Sequence, residues 1–415
     1  MRSELKTLRL QSHPDPSLQR HWFLVQIGLC LLPFSAFLGC TPILVAALGV
    51  WRQRFSQLIR EPVNRGFAVL GLTMIGAACF AVDRQNAFLG LFNFLPFFVV
   101  FAALSELIQS PKQLTRIAWI WVLTSIPVTL IGFVQLFFRV GGSPSLLWGL
   151  IEWTIAPGGE PLGRMSSVFT YANVLANYYV IVFVLNVGLW LDERKPILGI
   201  VFFLNAIALI LTNSRNVWAI AVLACLAFAL YQGWKAIVAG VGVITGLMLG
   251  AAFAPEPISS PLRAIVPRFF WARLNDQMYS DRPVNQFRST QWKFAWSMTE
   301  QRPLTGWGLR SFSKLYTEQM QLWLGHPHNL FFMLSAESGL PVALGLFGLV
   351  GWILAQGVLG WRKLRQEDQR IYFTFSIAFF ACALFSLLDV TLFDARINLM
   401  GWVLLAGIWK THDAN

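Results

Sequence analysis

Two histidines, His326 and His328, stand two positions apart in GHPHNLFFMLSAESGLP, and an almost wholly apolar segment follows them directly. An imidazole is neutral over much of the physiological range and can then take a proton from a hydroxyl. That makes His328 a candidate general base, with His326 and Asn329 beside it as auxiliaries. The plain alternative is a pair of interfacial residues at the end of an apolar segment. Two arginines offer complementary chemistry. Arg215 lies in the short turn of LTNSRNVW between apolar segments, and Arg164 precedes MSSVFTYANVLANYY. A planar guanidinium held in place suits a pair of phosphate oxygens, whereas an arginine that merely snorkels from a helix end is the structural alternative. Asn173 and Asn177, at i and i+4, share one face of a helix, where interhelical hydrogen bonding is their ordinary role. Glu337 falls on roughly the opposite face from His328 and suits a packing or polar contact rather than a pair with it.

These residues must be positioned by a greasy scaffold. The chain has 415 residues, 56% hydrophobic and 13% charged, against about 25% charged in soluble domains. Apolar segments at about 22–37, 40–51, 67–82, 88–108, 117–138, 167–191, 196–212, 217–231, 236–254, 329–358, 371–388 and 397–409 predict an all-α polytopic membrane protein of about 12 transmembrane helices. Pro33, Gly39 and Pro42 mark a tight hairpin between the first two. With both termini cytoplasmic, the short outside loops hold only Arg84, Arg139, Arg164, Arg215 and Arg396, as the positive-inside rule requires. His326, His328, Arg164 and Arg215 then face the same outer compartment.

The organisation expected is an N-terminal membrane bundle over 1–254, a long outer loop over 255–328, and C-terminal membrane helices over 329–415. Within the loop, Arg288, Trp292 and Trp296 recur at i, i+4 and i+8 and predict an amphipathic helix from about Asn285 to Glu300. The net charge of +12 is scattered through short loops, which argues against nucleic acid as a partner. The five cysteines all lie in apolar segments and read as small buried hydrophobes, with no metal site or disulfide expected among them. There is no D-x-D, P-loop, G-x-S-x-G or G-x-G-x-x-G in a suitable context. Apart from Glu106 and Glu337, no predicted span carries Asp, Glu, Lys or Arg, which speaks against an ion-coupled transporter.

HPHNLFFMLSAESG resembles the H-[NSQ]-x9-G signature of the O-antigen ligase/polymerase superfamily, with His328, Asn329 and Gly339 in register. GRMSSVFTYANVLANYY, LTNSRNVW and RPLTGWGLRSF resemble further segments of that family in the same order; Val342 stands where its pattern more often has Gly, Thr or Tyr. The resemblance implies a GT-C-like fold and a bacterial inner-membrane enzyme whose site faces the periplasm. It would transfer a glycan from undecaprenyl pyrophosphate to an acceptor hydroxyl, often on lipid A core, without cofactor or metal and with inversion. His328 would deprotonate the acceptor, and Arg164 and Arg215 would bind the pyrophosphate, with Arg288 a further contact. Polymerisation of glycan repeats and protein O-glycosylation share these motifs. A bicarbonate-uptake-like transporter and a non-catalytic partner in envelope assembly are the alternatives from other classes.

Overall fold

The computed structural model describes residues 10–275, 277–279 and 283–409. The chain forms two compact units, Met1–Ala221 with Phe294–Asn415, and Val222–Lys293. In the larger unit, α1 (Gln19–Leu31) and α2 (Ala36–Leu58) make the expected hairpin, with α2 longer than its apolar stretch. The Ser35 hydroxyl caps α2 by accepting from the Leu38 amide at 3.3 Å. Then come α3 (Pro62–Cys79), α4 (Arg84–Gly90), α5 (Leu95–Leu107) and α6 (Pro111–Phe137). A short antiparallel hairpin, β1 (Ser145–Leu146) with β2 (Ile151–Glu152), interrupts the Gly- and Pro-rich loop that follows. Next are α7 (Ala172–Glu193), α8 (Pro196–Leu211) and α9 (Arg215–Tyr231). Pro62, Pro111 and Pro196 each open a helix, where a missing N–H costs nothing.

The smaller unit holds α10 (Lys235–Phe253), α11 (Glu256–Ile265) and α12 (Arg268–Leu274). Arg263 ties α11 to the end of α10 by donating to the Ala251 carbonyl at 2.8 Å. The Asn275 amide does the same for α12, donating to the Ala252 carbonyl at 3.1 Å. A helix falls where the sequence predicts an amphipathic one: α13 (Arg288–Gln301), preceded by a 3-10 turn at Val284–Gln286. The larger unit resumes at Phe294 and goes on to α14 (Ser311–Met320), α15 (Leu330–Ser338), α16 (Leu340–Trp361), α17 (Gln366–Ser386) and α18 (Ala395–Trp409). The long loop thus holds several helices where the sequence predicts one.

Among the described residues, eight helical segments are long and apolar enough to cross a membrane: α2, α3, α4 with α5, α6, α7, α10, α16 and α17. The shorter apolar helices α8, α9 and α18, together with α1, stand where the remaining expected spans lie. The protein is an all-α polytopic membrane protein. One expectation needs correcting. The stretch 329–358 is not a single helix: Gly339, at φ +85°, breaks it into α15 and α16. A Cβ at Gly339 would lie 2.3 Å from the Leu304 carbonyl oxygen, so only glycine admits the turn segment 303–308 that docks here. That segment is held by Trp307 N–H to Ala336 O (3.0 Å), Gly308 N–H to Glu337 O (2.8 Å) and Leu340 N–H to Pro303 O (2.8 Å).

The centre of the larger unit is α7, whose side chains from Leu175 to Leu185 are buried on every face. A helix that is apolar all round belongs inside a bundle. It packs antiparallel against α17: Asn173 meets Asp389, Asn177 meets Cys382, and Asp192 meets Arg370. Antiparallel pairing brings the start of α7 and the end of α17 to one face of the bundle. The two helices approach closely because Gly188 leaves room for Thr374; a Cβ there would lie 2.2 Å from the Thr374 hydroxyl oxygen. Gly188→Ile is therefore expected to force the pair apart at a cost of about 1–3 kcal/mol. The check is thermal unfolding in detergent, where this variant should melt well below the wild type and Gly348→Ala, whose added Cβ meets nothing within 4 Å, should not.

Candidate functional site

The site is built where α7 begins, α17 ends and α15 begins. Asp389 follows α17 and has only 6% of its side chain exposed. A carboxylate so placed needs donors, and three side chains supply them. His328 Nδ1 lies 2.8 Å from Asp389 Oδ1, and His326 Nε2 lies 3.6 Å from the same oxygen. The Asn173 amide donates to Asp389 Oδ2 at 2.5 Å. The Asn173 carbonyl oxygen in turn accepts from Arg164 Nη2 at 2.5 Å. A continuous chain thus runs from Arg164 through Asn173 and Asp389 to His328.

Each member is fixed by its local structure. Asn329 caps α15, its Oδ1 accepting from the Phe332 amide at 3.1 Å, while its Nδ2 donates to the Leu387 carbonyl at 2.9 Å. One side chain therefore starts α15 and ties it to the end of α17, two residues before Asp389. His328 adopts φ +54°, rare for a residue with a Cβ. Its N–H donates to His326 Nδ1 at 3.1 Å, closing the His-Pro-His turn, and the two rings meet edge-on at 4.7 Å. His326 also stacks on Phe393, with ring centroids 6.0 Å apart. The segment just after Arg164 is held by Gln135, whose side chain accepts from the Ser166 and Ser167 amides and donates to the Ala156 carbonyl. Arg164 Nε donates to the Thr212 carbonyl at 2.9 Å, and Met165 N–H to the Leu211 carbonyl at 2.9 Å. Those bonds join it to the turn that carries Arg215, an exposed side chain at the first residue of α9.

His326, His328 and Asp389 lie within 4.8 Å of one another, a spacing that a metal ion could bridge. The proton positions oppose it. Nδ1 of His326 accepts the His328 N–H, so in the neutral ring the proton sits on Nε2, the atom facing Asp389. A metal at Nε2 would need that lone pair and would leave two N–H groups pointed at each other. As a hydrogen-bonding set the three fit well. With Nδ1–H of His328 donated to Asp389, its Nε2 presents a lone pair, the arrangement of an oriented base.

The structure brings together His326, His328, Asn329, Asn173 and Arg164, and joins the Arg215 turn to Arg164. Arg288 opens α13 in the smaller unit and is half-buried. Glu337 faces elsewhere: it is buried and accepts from the Phe312 amide at 3.0 Å. Asn177 donates to the Thr391 hydroxyl at 2.6 Å, the interhelical role that its position suggests. Sequence reasoning missed Asp389. The only local sign was a carboxylate directly after the apolar run that ends in SLLDV.

Residues 200–347 match the family model for O-antigen ligase. That match supports the O-antigen ligase superfamily and, in general terms, transfer of a lipid-linked glycan. No curated protein matches the chain. The O-antigen ligase match contains His326, His328, Asn329 and Arg215; Arg164, Asn173 and Asp389 lie outside it and reach His328 through the fold.

Glu337 lies on α15, outside the spanning helices. Burial pushes its carboxyl from 4.5 up to about 7, against the opposing amide bonds of Phe312 and Arg310. Raised in the folded state, it stabilises the protonated form, so stability is greatest below about pH 4.5 and is lost as pH rises through 7. Melting temperature in detergent should therefore fall between pH 5 and pH 8, and Glu337→Gln should flatten that fall.

Proposed function

We propose that this protein transfers a glycan from undecaprenyl pyrophosphate to an acceptor hydroxyl, at a site open to the periplasm of a bacterial inner membrane. The observation that carries this reading is the hydrogen-bonded chain Arg164–Asn173–Asp389–His328. Asp389 orients His328 and stabilises the imidazolium that forms when Nε2 takes the acceptor proton. As the anomeric carbon–oxygen bond breaks, negative charge gathers on the diphosphate. Arg164 and Arg215 supply preorganised positive charge for it, and the start of α9 adds its dipole. Arg288 is a further diphosphate or acceptor contact in this reading.

A lipid diphosphate is already an activated leaving group, so neither nucleotide nor metal is required. Attack by the deprotonated hydroxyl from the face opposite the diphosphate inverts the anomeric centre. Lipid A core is one acceptor that fits; the end of another lipid-linked glycan is another. The transporter reading has less support, because apart from Glu106 and Glu337 no predicted span carries Asp, Glu, Lys or Arg.

In a reconstituted assay with a polyprenyl-pyrophosphate-linked donor, His328→Ala and Asp389→Asn should each slow transfer by about 10²–10⁴-fold. Arg215→Ala should do so with protein levels unchanged, and EDTA should leave the wild-type rate intact. Full transfer by both His328→Ala and Asp389→Asn would sink the assignment of the base.

A further inference from the structure

Beneath the site lies a cavity of about 460 Å³ between α16, α17 and α18. Leu330, Leu387 and Leu392 line it, each within three residues of His328 or Asp389. Phe347, Phe379 and Trp402 are among its other walls. Its polar members are turned away from it. Asn398 donates its amide to the Asn93 and Leu392 carbonyls, and the Ser386 hydroxyl donates to the Cys382 carbonyl. A space whose lining is almost wholly apolar selects hydrocarbon.

We infer that this cavity holds the first isoprene units of the donor's polyprenyl chain. The inference rests on the glycan-transfer reading and adds where the donor lipid lies. The choice between donor and acceptor follows from connectivity. In a polyprenyl diphosphate glycan, only the diphosphate separates the reacting anomeric carbon from the first isoprene. In a lipid acceptor, a whole oligosaccharide separates the reacting hydroxyl from any hydrocarbon. An apolar cavity adjoining the base therefore fits the donor's chain. Its position between membrane helices lets the rest of a long chain continue into the bilayer.

Gly351 gives a clean test. It lines the cavity, and a Cβ added there meets nothing within 4 Å. Gly351→Leu puts a side chain into the space from a Cβ that meets nothing within 4 Å, and replaces a helix-interior glycine with a better helix former. Its melting temperature should equal or exceed that of the wild type. Its KM for a long-chain donor should rise at least about tenfold, the effect of losing about two buried methylenes. Its KM for a donor whose diphosphate carries a methyl group in place of the polyprenyl chain should stay the same. Unchanged selectivity for the long chain would overturn the inference and leave the function standing.

A second measurement does not depend on transfer. A diazirine-bearing polyprenyl phosphate in liposomes should label α16–α18 of the full-length wild type, and unlabelled undecaprenyl phosphate should compete. Competition by bilayer phospholipid alone would make the cavity a general lipid site and overturn the inference. Specific labelling of a wild type that transfers nothing would support the cavity assignment and sink the function reading.

Discussion

A carboxylate buried to 6% exposure cannot be left without donors, and satisfying Asp389 dictates how the larger unit is assembled around it. Its partners come from the His-Pro-His turn before α15 and from the first turn of α7. No local sequence could bring these together. The antiparallel pairing of α7 with α17 does, and that pairing depends on a glycine small enough for two membrane helices to touch. Removing Asp389 would leave the Asn173 amide and the His328 ring without the acceptor that they share, so the carboxylate organises this part of the structure.

His328, the proposed base, is held under strain. His328 adopts a left-handed backbone conformation, which costs a side chain about 1–3 kcal/mol. The surrounding bonds over-determine it: its N–H is taken by His326 Nδ1, its ring by Asp389, and the next residue by the Leu387 carbonyl and the α15 amides. Strain kept at one position by several independent bonds keeps a side chain aimed, which is what a base must be before its substrate arrives.

Much of this was legible in the sequence, and the gaps have physical causes. Residue type and charge asymmetry predicted that His326, His328, Arg164 and Arg215 share one face. The structure links His326, His328 and Arg164, and the turn that carries Arg215, through hydrogen bonds. Asn173 was legible only as one of two asparagines on a helix face; which one meets a carboxylate depends on helix rotation, which periodicity does not reveal. Asp389 was missed because its 61-residue separation from His328 carries no local pattern. The break at Gly339 was missed because 329–358 is apolar on both sides of it, and hydropathy does not register a φ of +85°. The docked turn segment 303–308 explains the need for glycine there.

The least conspicuous member of the site is the one that keeps its charges apart. Arg164 and Asp389 are opposite in sign and are reached through the same amide, with Asn173 Oδ1 facing the guanidinium and Nδ2 facing the carboxylate. A direct ion pair would consume both charges, and each would then do little for anything else. An interposed neutral amide satisfies one donor of the arginine and one acceptor of the aspartate while leaving the net charge of each in place. The anion can then act on the imidazoles and the cation on an anionic leaving group. In the proposed reading, separating the two by a single side chain lets proton acceptance and anion stabilisation sit side by side.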